Sequence, residues 1–133
     1  MQTHQYAHLT LEDLELSVWE VDSYSNLTRR CTQLRKIPVS QLTAGDLRVM
    51  ISQDIGTKFL VPLAIEILSK NPLVEGDFYE GDLLKSVLTV KPEFWAAHTN
   101  LKDKMFEIVR GINQGNPDLD ENVCELIKAW LSK

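Results

Sequence analysis

The stretch Phe59-Leu60-Val61-Pro62-Leu63-Ala64-Ile65-Glu66-Ile67-Leu68 is apolar on nearly every side, with Glu66 its one charged residue. A helix of this kind is the buried centre of a bundle, with other helices packed around it. It is about half the length of the roughly 20 apolar residues needed to span a bilayer. Pro62 lacks the N–H an interior helical position must donate, so it belongs in the first turn or kinks the helix. Asn71-Pro72 ends the segment.

The flanking sequence reads as short helices separated by Gly, Pro and Asn. Upstream, Thr10 with Asp13 resembles a helix cap, although Leu14, Leu16 and Val18 also alternate like a strand. Leu27, Cys31 and Leu34 share a helix face, and Pro38 stops that helix. Thr43 with Asp46 forms a variant capping box ahead of Leu47, Met50, Ile51 and Ile55, and Gly56 is the candidate stop. Downstream, Leu83, Leu84, Val87 and Leu88 begin another helix, and Pro92 suits the first position of the next. Phe94, His98, Leu101, Met105, Ile108 and Ile112 form a packing seam, with a candidate break at Thr99-Asn100. The last helix carries Leu119, Val123, Ile127 and Trp130, with acids in its first turn and lysines late, the order that complements the helix dipole. Residues 1–9 show no apolar face in His4, Gln5 and His8 and are expected to be loosely ordered. Residues 10–133 then form an all-α, compact, single-domain bundle of about six to seven short helices around Phe59 to Leu68.

A length of 133 residues suits one domain that folds without disulfides or metals. Hydrophobic residues at 44% and charged residues at 25% are those of an ordinary globular protein. Lys plus Arg is 14 against 19 Asp plus Glu, a net charge of −5, which argues against a surface built to bind nucleic acid. The acids are blocked: five fall in residues 1–24 with no Lys or Arg, four in residues 75–82, and four more after residue 111. The N-terminus has no basic start and no apolar core of a signal peptide, so the default location is the cytoplasm, where Cys31 and Cys124 stay reduced.

Candidate chemistry is sparse. His4 and His8 are four apart, but a Gln follows the first where a zinc protease has Glu, and two ligands do not make a site. His98 on its apolar seam reads as a satisfied boundary histidine, since no nucleophile motif accompanies it. The loop Glu75-Gly76-Asp77-Phe78-Tyr79-Glu80-Gly81-Asp82 has its acids at the wrong spacing for a calcium loop. Three readings of it stay open: a structural turn capped by Asp82 with Phe78 plugging the core, a partner contact, or paired carboxylates for acid–base work. No phosphate-binding glycine loop, dinucleotide fingerprint or CxxC is present. No cofactor and no metal are expected.

One arrangement is more specific. Leu27-Thr28-Arg29-Arg30-Cys31 is followed by Leu42-Thr43-Ala44-Gly45-Asp46-Leu47-Arg48 and Ile51-Ser52-Gln53-Asp54-Ile55-Gly56. Then come Leu60-Val61-Pro62-Leu63-Ala64, the 75–82 loop with Leu83-Leu84, and Pro92-Glu93-Phe94-Trp95. In this order the motifs resemble a family of immunity proteins from bacterial contact-dependent growth inhibition systems, over Leu11 to Ile112. The resemblance implies a helical cytoplasmic protein with no enzymatic activity. Such a protein binds and blocks the toxic C-terminal domain delivered by a neighbouring cell. Toxins of these systems are often nucleases, including ones that cut transfer RNA.

A nuclease attracts a polyanion and is therefore basic, which an acidic inhibitor can complement. The candidate toxin contacts are Asp77, Tyr79 and Glu80 in the loop, and Asp118, Asp120 and Glu121 before and within the last helix. Tyr6, Trp19, Tyr24 and Tyr79 are candidate aromatic anchors. The expected partner is the cognate toxin domain, with no direct nucleic-acid or membrane contact. The alternatives are a helical adaptor for an unrelated host protein and a small hydrolase using the loop carboxylates.

Overall fold

A computed structural model describes residues 3–20 and 25–132. Among these residues the chain is helical, with no strand and one isolated antiparallel bridge between Glu75 and Glu80. The helices are α1 (Leu11–Glu15), α2 (Asn26–Leu34), α3 (Ala44–Ser52), α4 (Thr57–Lys70), α5 (Asp82–Leu88), α6 (Pro92–Ala97), α7 (Thr99–Arg110) and α8 (Glu121–Leu131). Short 3-10 turns at Thr3–Gln5 and Val39–Gln41 complete the architecture. The long seam is broken at His98, one residue before the expected Thr99-Asn100, which open α7, and the break raises the count to eight α-helices among the described residues. Between α6 and α7 the backbone of His98 leaves the helical region, while its ring stacks on Phe94 at 4.2 Å. Its Nδ1 lies 2.8 Å from the Phe94 carbonyl oxygen, so the histidine is satisfied as a boundary residue.

The caps fall where the side chains allow them. In α1 and α3 the threonine hydroxyl accepts from the backbone N–H three residues on, and that residue's aspartate accepts from the threonine N–H. Aspartate thus closes both boxes in place of the longer glutamate. Two local expectations change. The left-handed residue that ends α3 is Asp54, with φ 58°, two positions before the expected Gly56. Gly56, with φ 62°, instead stands at the N-terminus of α4, where a Cβ would come within 2.7 Å of the buried Leu11 side chain. The Leu14-Leu16-Val18 alternation forms no strand: Leu14 lies in α1, and Leu16 and Val18 are exposed beyond its end.

Helix α4 packs against α3, α5, α7 and the first 3-10 turn, burying Leu60, Val61, Ala64, Ile65 and Leu68. Its opposite side carries exposed Lys58, Glu66 and Lys70, so α5 is the more completely enclosed helix. Six of the seven α5 residues are buried against α3, α4 and α8. The far end of the core is aromatic. Trp130 of α8 meets Trp95 and Phe106 edge-on, and its Nε1 donates to the Leu88 carbonyl at the end of α5. One indole therefore ties four helices together.

Pro62 is the sixth residue of α4, and the helix continues through it. A proline there cannot donate to the Lys58 carbonyl one turn back. Alongside, the Tyr6 hydroxyl donates to the Phe59 carbonyl at 2.7 Å, and the two rings pack edge to face. Tyr6 is buried, and Leu9 packs partly against the core. The Thr3 hydroxyl donates to the Glu66 carboxylate, while Val39 N–H and Ser40 N–H donate to the Leu9 and Ala7 carbonyls. The segment before α1 is attached through these groups, none of which belongs to an apolar periodicity.

Tyr6→Phe should remove the bond to Phe59 and cost about 1–2 kcal/mol, read as a lower denaturation midpoint. Burial, with Glu66 adding to it, pushes the Tyr6 hydroxyl up to about 12. Above pH 10 the unfolded chain ionises this tyrosine before the folded chain does. Stability should therefore fall as pH rises from 10 towards 12, and the Tyr6→Phe variant should lose that part of the fall.

Candidate functional site

The 75–82 loop leaves α4 and returns into α5, and its shape is set by a carboxylate turned inward. Asp82, 3% exposed, accepts from the Gly76 N–H at 2.6 Å and from the Phe78 N–H at 2.9 Å. It is the first residue of α5 and not its cap; Gly81, with φ 92°, stands at the cap position. Gly76 is required by close approach, since a Cβ there would lie 3.2 Å from the Gly45 Cα and 3.0 Å from Asp82 Oδ1. Gly45 in the first turn of α3 meets the same constraint, because a Cβ on it would fall 2.8 Å from Asp77 Cγ. Two glycines thus let α3 and the loop touch backbone to backbone.

An ionic network spans the contact. Asp77 Oδ2 accepts from Arg30 of α2 at 3.0 Å and from Arg48 of α3 at 2.9 Å. Arg30 also binds the capping carboxylate of Asp46 at 3.2 Å. Hydrogen bonds from Arg30 and then Arg48 hold the Asp77 carboxyl below its ordinary value of 3.8. Arg48 lies over the Phe78 ring, 4.6 Å from its centroid. Phe78 does not plug the core: 70% exposed, it stands on the surface with one face against that guanidinium. The expectation failed because an aromatic among acids carries no periodicity to say which way it points.

The remaining candidates separate into two groups. Glu75 and Glu80 are exposed, face each other across the bridge, and have no cationic partner among the described residues. Tyr79 is half-buried against the core. Asp118 and Glu121 are exposed, whereas Asp120 Oδ1 caps α8 by accepting from the Asn122 and Val123 N–H groups. The two acidic segments meet in space, because Val123 in the first turn of α8 lies where a Cβ on Gly81 would touch it at 3.5 Å. The third acidic block is partly committed, with Glu12 to Lys36 and Glu15 to Arg35. Of the other aromatic candidates, Tyr6 is core, Trp19 covers the buried Arg35 at 4.2 Å, and Tyr24 lies outside the described residues.

Beside the loop is a cleft of about 300 Å³ lined by Ser52, Phe78, Tyr79, Lys85 and Thr89, with Asp82 its carboxylate. Both Asp82 oxygens accept backbone N–H groups, so this carboxylate holds the loop in shape. A larger cleft of about 570 Å³ lies between Tyr6, α4 and the α6–α7 junction. No group of three or more His, Cys, Asp or Glu side chains among the described residues could hold a metal. Among the same residues no helix is long and apolar enough to cross a membrane, and Cys31 and Cys124 are free thiols.

Asp77→Asn should weaken both arginine contacts and cost about 1–2 kcal/mol in chemical denaturation at neutral pH. Because the folded carboxyl lies below the unfolded value, its contribution is present above about pH 4 and is lost as pH falls through the folded value. The penalty of the variant should therefore shrink in acid. Gly45→Ala should destabilise by about 1–3 kcal/mol, the Asp77 carboxylate being too firmly held to move aside.

No curated protein matches the chain significantly. A family model described as CDI immunity proteins matches residues 13–105, which take in α2 through α6, the glycine contact and the whole 75–82 loop. With most of the chain covered, the protein belongs to the family of CDI immunity proteins.

Proposed function

We propose that this protein acts in the cytoplasm as a stoichiometric inhibitor of one cognate toxin domain, by binding and not by catalysis. Family membership over residues 13–105 carries the reading. The toxin is proposed to be a basic nuclease, with transfer RNA as its candidate substrate. The exposed acids of the loop and of the α8 N-terminus support this choice, because a basic site that attracts a polyanion also attracts exposed carboxylates. Neutralising scarce toxin calls for a Kd near nanomolar, about −12 kcal/mol, which an interface of about 800 Å² per partner can supply.

Among these residues the roles divide. The exposed acids Glu75, Glu80, Asp118 and Glu121 supply the long-range attraction, and Tyr79 lies between the two loop glutamates in sequence. Asp77 and Asp120 hold the backbone that presents them, since both are already bonded within the fold. Exposed carboxylates of this kind affect encounter more than residence time.

The test uses the purified C-terminal domain of the toxin encoded beside this chain, assayed for cleavage of transfer RNA. Inhibition should be complete at one equivalent of the protein. Glu80→Gln with Glu121→Gln should slow association several-fold at low salt, with the difference closing as salt approaches about 1 M. Undiminished toxin activity at large excess would refute the inhibitor reading. Unchanged association rates would remove the acids from the interface.

A further inference from the structure

Among the described residues four large apolar side chains are exposed: Leu16, Val18, Leu27 and Phe78. Phe78 differs from the other three in being held by a buried carboxylate. Its N–H is bound by Asp82, and its ring is backed by Arg48, which is itself fixed by Asp77. The ring also forms one wall of the cleft of about 300 Å³ that runs between Tyr79 and Lys85. A phenyl ring held 70% exposed gives the fold little beyond its contact with Arg48, whereas burying it against a partner removes its apolar surface from water at little ordering cost. The occupant follows from charge. Glu75 and Glu80 pair across an isolated backbone bridge, both are exposed, and neither meets a cation among the described residues. A partner that places Lys or Arg there pairs with these two free carboxylates while covering the ring.

We infer that Phe78 is the apolar anchor of the complex, inserting into a pocket on the toxin domain whose rim carries basic side chains facing Glu75 and Glu80. This rests on the inhibitor reading above and assigns its dominant contact. The anchor governs how long the complex lasts, and the glutamates govern how fast it forms.

The experiment measures association and dissociation of the full chain with the neighbouring-gene toxin domain, for wild type, Phe78→Ala and Phe78→Leu. Phe78→Ala should keep the wild-type denaturation midpoint to within a few degrees and weaken binding roughly 30-fold or more, mainly through faster dissociation. Phe78→Leu, which keeps apolar bulk, should fall between the two. A folded Phe78→Ala protein that binds as tightly as wild type overturns the anchor while leaving the inhibitor reading intact. Failure of the wild-type chain to bind the toxin domain overturns both.

Discussion

The buried carboxylate of Asp82 sets the shape of the loop through which α2, α3 and α5 meet. It lies at the start of the most enclosed helix and accepts two backbone N–H groups of the loop that precedes it. A carboxylate so far from water is tolerable only when its oxygens are bonded, and here the donors come from the segment that must be shaped. With the loop folded over it, Asp77 reaches the arginines of α2 and α3, and Gly76 reaches Gly45. Three segments distant in sequence, α2, α3 and the loop leading into α5, are thereby brought together. The chain uses two of the loop's four acids to build this contact and leaves the other two exposed.

That division explains why the net charge of −5 is a poor guide on its own. The four acids in residues 75–82 have two different fates. Asp77 and Asp82 are neutralised or enclosed within the molecule, and Glu75 and Glu80 face solvent. The same holds at α8, where Asp120 is consumed as a cap while Asp118 and Glu121 remain free to act at long range. In the loop it is the shorter acid that turns inward, and at α8 the cap is again an aspartate. Asp82 and Asp120 bond backbone N–H groups, whereas Glu75 and Glu80 meet no cation among the described residues.

Most of the helical frame was legible because helices announce themselves by period and by caps. Thr10-Asp13, Thr43-Asp46 and Pro92 all mark true beginnings, and the apolar seam through Phe94 and Met105 marks a true packing face. Features that depend on contacts between distant segments were not legible. Tyr6 is core because its hydroxyl meets a carbonyl of α4, and nothing near Tyr6 in sequence signals that. Asp54 takes the left-handed position expected of Gly56, whose own role is to make room for Leu11. Hydrophobicity alone assigns Phe78 to the core, yet the loop that carries it is shaped by carboxylates and its ring faces outward.

A frame held from within can serve different partners without being rebuilt for each. The glycine contact, the Arg30–Asp77–Arg48 pairs and the Asp82 bonds all lie within residues 13–105, the part matched to the family. They fix where the loop sits without themselves occupying its outer face. Exposed positions on that face, such as Glu75 and Glu80, touch little of the chain and can change without disturbing the fold. The N-terminus of α8 lies outside the matched segment yet packs against Gly81, so it adds a second exposed edge beside the first. In the proposed complex the partner is met by side chains that the frame positions but does not use.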